Sequence, residues 1–143
     1  MDDTPFKLAL HRREMTDEIL ACAIDVHRAL GPGLLESAYC ACLEIEMRTR
    51  GMRFAREVAV DIDYRGVLVQ NAFRADFIVG GQVVVEVKAI RALESVHEAQ
   101  VLTYLRLTGL EIGLLLNFHM PSMRKGIRRI VRSRHPLSTP SSS

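Results

Sequence analysis

The chain has 143 residues, of which 48% are hydrophobic and 25% are charged, which predicts one soluble globular domain with a real core. Its net charge of +2 does not by itself indicate a polyanionic partner, so local clustering of basic residues matters more. Three cysteines lack disulfide or zinc spacing, and no apolar run is long enough to span a bilayer. With no signal-like segment at the start, a cytoplasmic protein is expected.

The first third of the chain predicts a loose arm and two helices. Residues 1–15 are expected to form the arm, which carries several basic side chains. Thr16 is a suitable N-cap for a helix with apolar residues at helical spacing, and Gly31-Pro32-Gly33 would end it. A second helix is predicted from about Leu34 to Arg50.

The middle of the chain predicts three strands. Alternation over residues 57–64 predicts the first, and Arg65-Gly66 turns the chain into the second. That second strand begins at Val67 and either runs on or bends near Asn71. The third strand ends at Lys88.

The last third predicts a helix, a buried strand and a basic element. Ser95-Val96-His97-Glu98 has capping-box spacing and would begin a helix closed by Gly109. Residues 111–118 are nearly all apolar, as in a strand covered on both faces. The basic segment after Pro121 is either a short edge strand or a final helix, and residues 135–143 are expected to be a disordered tail.

This order, α-α-β-β-β-α-β plus a basic C-terminal element, predicts an α/β fold with a central mixed sheet flanked by helices. Residues 16–134 would form the single domain.

Asp76, Glu86 and Lys88 are charged residues inside two β-rich runs that flank Gly80-Gly81. The flanked glycine pair predicts a β-hairpin. A two-residue loop would point Asp76 and Glu86 to opposite faces of the sheet. A three-residue loop would instead place them side by side, where the two carboxylates repel each other unless a cation lies between them.

The three-residue loop is the preferred register because it sorts the side chains by polarity. It pairs Val79 with Val83, Phe77 with Val85 and Ala75 with Val87 on an apolar face. The other face then carries Ile78 with Val84, Asp76 with Glu86 and Arg74 with Lys88.

The pattern of Asp76 with Glu86-x-Lys88 suits a divalent cation site. Lys88 projects from the same side as Glu86, and the Val87 carbonyl between them could be a further oxygen ligand. Such a site could orient a hydroxide for phosphodiester cleavage. The pattern alone is short, and a solvated strand face with incidental charges is the commoner meaning.

Other polar residues are weaker candidates. Glu36 by itself would be an exposed helix acid. His97, Gln100 and Tyr104 share one helix face and could contact a phosphate or a base, although an ordinary polar flank has the same spacing. His27 is either a structural histidine or a group behind the site.

The run Gly33-Leu34-Leu35-Glu36-Ser37-Ala38-Tyr39 resembles the signature of the GxxExxY family, which is assigned to the PD-(D/E)XK nuclease superfamily. The resemblance covers about residues 19–131. It implies a restriction-endonuclease-like core with Asp76 and Glu86 as metal ligands, Glu36 near the metal and Lys88 as the catalytic lysine. It also implies that Gln100 and Tyr104 form the Q-x-x-x-Y helix of RecB-like members. Ala75 stands where the superfamily's name has proline.

The leading hypothesis is therefore a nuclease, dependent on Mg²⁺ or Mn²⁺, that hydrolyses phosphodiester bonds in DNA or, as a second choice, RNA. Its expected catalytic residues are Lys88, Asp76, Glu86 and Glu36, its metal ligands Asp76, Glu86, Val87 and Glu36, and its substrate-binding residues Gln100, Tyr104, Tyr39 and His97. One alternative is a catalytically silent module that binds nucleic acid or a protein partner, and another is a metal-binding regulator. A homo-oligomer or a protein partner is possible, and no membrane association is expected.

Overall fold

The computed structural model describes residues 4–132, with side chains from residue 12 onward. The predicted tail at 135–143 lies outside the described residues. Three helices, a 3₁₀ turn (η1) and five strands occur within them: α1 (Thr4–Leu30), α2 (Glu36–Thr49), β1 (Phe54–Tyr64), β2 (Val67–Val79), β3 (Val83–Lys88), α3 (Ser95–Thr108), β4 (Ile112–Asn117), η1 (Met123–Gly126) and β5 (Ile127–Val131).

The five strands form one mixed sheet in the order β1-β2-β3-β4-β5. Strands β3 and β4 are parallel, and every other neighbouring pair is antiparallel. Because α3 connects β3 to β4, both of these strands end at the same edge of the sheet, here called the carboxyl edge. The predicted α/β class with a central mixed sheet is confirmed.

The apolar core has two parts, one on each face of the sheet. Helices α1 and α2 cover one face, where Ile19 and Leu43 belong to the same cluster as Val85. Helix α3 covers the other face, where Val101 and Leu105 belong to a cluster with strand residues. Every residue of β4 is buried, which confirms the prediction of a strand covered on both faces.

Helix α1 begins well before the predicted start. Residues 4–15 are helical rather than a loose arm. The Thr16 hydroxyl donates to the Arg12 carbonyl oxygen at 2.7 Å, so it bonds back along the helix instead of capping it. Arg12 also pairs with Glu111 at 3.2 Å, which ties this turn to the residue before β4.

Strands β1 and β2 form a long hairpin whose distal half is exposed. Strand β2 is continuous through Asn71, but Asn71 has a φ of +55° and the register shifts between Val60 and Ile62. Of the two predicted alternatives, a continuous strand and a strand bent near Asn71, each is correct in part. The strand continues through Asn71, but its backbone is irregular there.

The capping box of α3 lies one residue earlier than predicted. Glu94, not Ser95, is the N-cap, and its side chain accepts the backbone N–H of His97. His97 Nδ1 in turn accepts the Glu94 N–H at 2.8 Å. The imidazole thus takes the place that a glutamate or glutamine usually fills, which is why the sequence pattern pointed to Glu98 instead.

The basic segment forms the 3₁₀ turn and then an edge strand. Ile127 pairs with Leu116 and Ile130 with Gly113, so the edge-strand alternative is the correct one. Within residues 4–132, none of the helices is both apolar enough and long enough for a bilayer crossing.

Candidate active site

The hairpin register agrees with the preferred prediction near the loop. Val79 pairs with Val83, Ile78 with Val84 and Phe77 with Val85. Regular pairing stops at Phe77 and Val85. The next residue away from the loop is Asp76 on β2 and Glu86 on β3. The two acidic residues therefore lie where the strands separate.

The predicted register is wrong for the half of the hairpin farther from the loop. There, carboxylate side chains accept the N–H groups that backbone carbonyls would accept in a regular ladder. Glu86 Oε1 accepts the Asp76 N–H at 2.9 Å, and Asp76 Oδ2 accepts the Val87 N–H at 2.7 Å. The expected direct pairs of Asp76 with Glu86, Ala75 with Val87 and Arg74 with Lys88 are not part of the ladder. Ala75 packs in the α3-side cluster, whereas Val87 packs in the α1/α2-side cluster.

Glu36 and Lys88 complete a charged group with these two acids. Lys88 is the last residue of β3, at the carboxyl edge, and is partly buried. Glu36 is the first residue of α2, and the backbone N–H of Ala89 and the charge of Lys88 both lower its pKa against the effect of burial. Backbone N–H groups of β2 and β3 hold the carboxylates of Asp76 and Glu86, and Glu36 is within electrostatic reach of both.

Burial and mutual repulsion disfavour ionisation of the acids. Burial, followed by the charge of Asp76, raises the pKa of Glu86 to about 7. Burial also raises the pKa of Asp76, against the Val87 N–H and the Lys88 charge, which lower it. Desolvation likewise raises the pKa of the more exposed Glu36, against the charge of Lys88. A cation at this position would relieve the repulsion among the three groups.

The free oxygens of Asp76 and Glu86 fit a hard cation. Asp76 Oδ1 and Glu86 Oε2 make no hydrogen bond within the described part of the chain. The side chains described contain no ready-made cluster of three or more His, Cys, Asp or Glu groups for a metal. Two carboxylates are enough, because Mg²⁺ usually keeps several waters and uses one or two protein carboxylates.

Arg56 is a second cation near the site that the sequence analysis missed. Its guanidinium lies 5.0 Å from the centre of the Phe77 ring and binds Glu44 Oε1 at 2.7 Å. Its charge opposes the burial that raises the pKa of Asp76. The only sequence signal was a charge in the apolar alternation of β1.

The four predicted substrate-binding residues do not form one surface. Gln100 is exposed on α3 and remains available to a ligand. His97 is engaged in the cap of α3. Tyr39 and Tyr104 are fully buried, so neither side chain is open to solvent in this structure, and their contact with substrate stays a prediction.

Tyr39 instead shapes the turn that leads into Glu36. Its hydroxyl donates to the Gly31 carbonyl oxygen at 2.5 Å and accepts the Leu34 N–H at 3.1 Å. Its ring stacks on Phe118 at a centroid distance of 4.6 Å. These contacts fix the approach of the chain to α2 and so position Glu36.

Tyr104 is buried on the other side of the sheet. Its hydroxyl has no hydrogen-bond partner within the described residues. Burial and then the charge of Glu86 raise the pKa of this phenol. Tyr104 is therefore within electrostatic reach of Glu86, on the face of the sheet that α3 covers.

Asn117 is a second residue that the sequence analysis did not assign to the site. It is fully buried at the end of β4. Its side chain accepts the Ile90 N–H at 3.1 Å and donates to the Ile90 carbonyl oxygen at 2.9 Å. It thereby holds the segment after Lys88 against β4. The sequence signal that could have identified Asn117 is that a polar residue ends an otherwise apolar strand.

His27 was predicted to be either a structural histidine or a group behind the site, and its contacts are those of a structural histidine. Its Nε2 donates to the Met120 carbonyl oxygen at 2.8 Å, and its ring stacks with Phe118 at 6.5 Å between centroids. This contact joins the end of α1 to the loop after β4.

Comparisons with known proteins agree with this architecture. A family model described as the PD-(D/E)XK nuclease superfamily matches residues 13–130. The crystal structure of SSO0001 is similar in fold, with a TM-score of 0.51 and 24% sequence identity over 67% of this chain and 49% of that chain. The chain thus spans about half the length of SSO0001, and the likeness concerns the fold alone. No curated protein matches the chain.

Proposed function

Because this chain belongs to the PD-(D/E)XK nuclease superfamily, we propose that it is a metal-dependent nuclease that hydrolyses phosphodiester bonds in DNA. Within the superfamily we assign it to the GxxExxY family, on the run from Gly33 to Tyr39. The superfamily accounts for the class of reaction. The metal, the substrate and the residue roles are argued from the site itself.

One observation supports the proposal above all others. Asp76 and Glu86 are each held through one oxygen by a backbone N–H, and each keeps its second oxygen free of hydrogen bonds within the described residues. Lys88 and Glu36 interact electrostatically with both acids. An acid pair fixed in this way is pre-organised for a ligand at a modest entropic cost.

Asp76 and Glu86 would hold a Mg²⁺ or Mn²⁺ ion through these free oxygens. The carbonyl of Val87 is the proposed further oxygen donor. The carboxylate of Glu36 is proposed to act on the ion through a bound water, because the described side chains contain no group of three acids close enough to bind one ion directly. When bound, the cation would supply a Lewis acid that polarises the phosphodiester and acidifies a water.

Lys88 is the proposed catalytic lysine. Its ammonium group is close enough to Asp76, Glu86 and Glu36 to lower the pKa of each against the larger effect of burial. In the partly buried position at the carboxyl edge, it would stabilise negative charge on the phosphate oxygens and orient the attacking water.

Arg124 and Lys125 place positive charge at the same edge as Lys88. They lie in the 3₁₀ turn immediately before β5, whose first residue pairs with Leu116 near the end of β4. Both side chains are exposed. Backbone phosphates bound there would make affinity for nucleic acid fall steeply as salt rises.

A cleavage assay on matched DNA and RNA substrates tests the proposal. With Mg²⁺ or Mn²⁺ present, we expect the parent to cleave DNA, and Lys88→Ala and Glu86→Gln to lose about a hundredfold or more in rate. Glu98→Gln, an exposed acid on α3, is the matched control. Cleavage that persists in EDTA, or equal rates for all variants, would reject the metal-dependent enzyme.

A catalytically silent nucleic-acid-binding or partner-binding module is the second candidate. It is favoured by the absence, among the described side chains, of three or more acids, histidines or cysteines placed together for a metal. It predicts salt-dependent DNA binding by the parent, with no cleavage under any metal condition and no effect of Lys88→Ala on turnover.

A further inference from the structure

A separate cavity of about 340 Å³ lies between the end of α1 and the 3₁₀ turn. Its volume is within the range of small-ligand sites. The residues lining it include Ile24, His27, Arg28, Ser122, Met123 and Arg124. It therefore combines two guanidinium groups, an imidazole and a hydroxyl with an apolar floor.

The polar groups of this cavity have free bonding capacity. Within the described residues Arg124 has no ion pair, and the Ser122 side chain makes no hydrogen bond. Arg28 meets Asp25 only at 3.9 Å, with 77% of its side chain exposed, so this pair is weak. His27 is only 7% exposed, and its Nε2 donates to the Met120 carbonyl oxygen, so it forms a fixed wall of the cavity.

The cavity adjoins the acidic site through Phe118. The Phe118 ring stacks with His27, which lines the cavity. The Phe118 backbone N–H donates to the Lys88 carbonyl oxygen at 2.8 Å. One residue therefore connects the wall of the cavity to the proposed catalytic lysine.

We propose that this cavity binds one nucleotide of the nucleic-acid strand outside the site of cleavage, an inference that rests on the proposed function. The phosphate lies between Arg28 and Arg124, because a guanidinium binds phosphate oxygens in a bidentate manner. The Ser122 hydroxyl donates to the same phosphate. The sugar and base lie on the partly exposed side chain of Ile24, whose apolar surface accepts any base.

Binding without turnover tests this cavity. The probe is a fluorescein-labelled single strand of DNA of ~12 nucleotides, a length typical of single-strand sites. Anisotropy is measured in EDTA at about 50 to 200 mM salt. We expect Arg124→Ala to weaken binding by about tenfold and to reduce the salt slope by about one, as for one lost phosphate contact. Arg28→Ala is expected to act in the same direction.

Arg106→Ala is the matched comparison. Arg106 is exposed on α3 and does not line the cavity, so its replacement should weaken binding by no more than about threefold through general electrostatics. Equal losses for Arg124→Ala and Arg106→Ala, unchanged binding by Arg124→Ala, or no binding by the parent would overturn the proposed nucleotide site. Anisotropy in EDTA does not depend on turnover, so failure of cleavage and failure of the nucleotide site remain distinguishable.

Discussion

The hydroxyl of Tyr104 is buried without a hydrogen-bond partner among the described residues, and the charge of Glu86 adds to the burial that raises the pKa of this phenol. Both groups are largely removed from solvent, and Glu86 is only 7% exposed. A buried polar group without a partner costs roughly 1–3 kcal/mol. The fold thus accepts an unpaired buried hydroxyl within electrostatic reach of the proposed metal ligand.

Replacing Tyr104 by phenylalanine should stabilise the metal-free protein. The substitution removes the unpaired hydroxyl and keeps the ring that meets Phe73 edge-on at 5.1 Å. We expect the free energy of unfolding to rise by about 1 kcal/mol, measured by urea denaturation. Tyr64→Phe, at an exposed position, should change it little. Destabilisation by Tyr104→Phe would mean that the hydroxyl is hydrogen-bonded.

Glu86 should make the metal-free protein less stable as pH rises. Its pKa is raised from 4.5 to about 7, so the folded protein holds a proton that the unfolded chain releases. The contribution of Glu86 to the free energy of unfolding is therefore constant below about pH 4.5, falls as the pH rises from 4.5 to about 7, and is constant again above that. The total change is roughly 3 kcal/mol at about 1.4 kcal/mol for each pKa unit.

The control for this pH effect is a neutral side chain of the same shape. Glu86→Gln should reduce the pH dependence of the free energy of unfolding in that window and leave the smaller part that comes from Asp76 and Glu36, whereas Glu98→Gln should leave it unchanged. If the parent and Glu86→Gln gave parallel curves, the raised pKa of Glu86 would be ruled out.

Metal affinity should rise with pH over the same range. The proposed ligand Glu86 must lose its proton to bind a cation, so binding releases about one proton below its pKa of about 7. We expect Mn²⁺ affinity to increase about tenfold per pH unit there and to level off above it. Calorimetry in two buffers of different ionisation enthalpy measures the released proton directly. A pH-independent affinity would exclude Glu86 as a ligand.

The sequence predicted the hairpin register only as far as backbone pairing extends. Side-chain polarity placed Phe77 opposite Val85 correctly. It could not show that the Asp76 and Glu86 carboxylates would replace backbone acceptors, because such a bond depends on how far the strands separate. The prediction of two neighbouring acids rested on polarity, and the geometry that frees one oxygen of each rests on tertiary structure.

The burial of the two tyrosines could not be predicted from helical spacing either. Spacing shows that Tyr39 lies on the same face of α2 as Glu36, but not that Phe118 covers the ring. Tyr104 lies four residues after Gln100, yet α3 packs Tyr104 on the sheet and leaves Gln100 exposed. Which part of a helix face is covered depends on partners distant in sequence.

Asn117 should be important for both stability and the position of Lys88. Its amide makes two hydrogen bonds with Ile90 and accepts a third from the His119 N–H at 3.2 Å. Asn117→Ala removes all three and leaves backbone groups unpaired, so we expect a loss of roughly 2–3 kcal/mol in the free energy of unfolding. Gln70→Ala, at an exposed position on β2, should stay within about 0.5 kcal/mol of the parent.

The same variant separates support of the site from support of the fold. Because Ile90 follows Lys88 by two residues, freeing it should let the lysine move while Asp76 and Glu86 keep their backbone hydrogen bonds. At a temperature where Asn117→Ala is still folded, Mn²⁺ affinity should therefore stay near that of the parent while the cleavage rate falls about tenfold or more, since small displacements of a catalytic group are costly. A parallel loss of metal affinity would show that Asn117 supports the acids as well as the lysine.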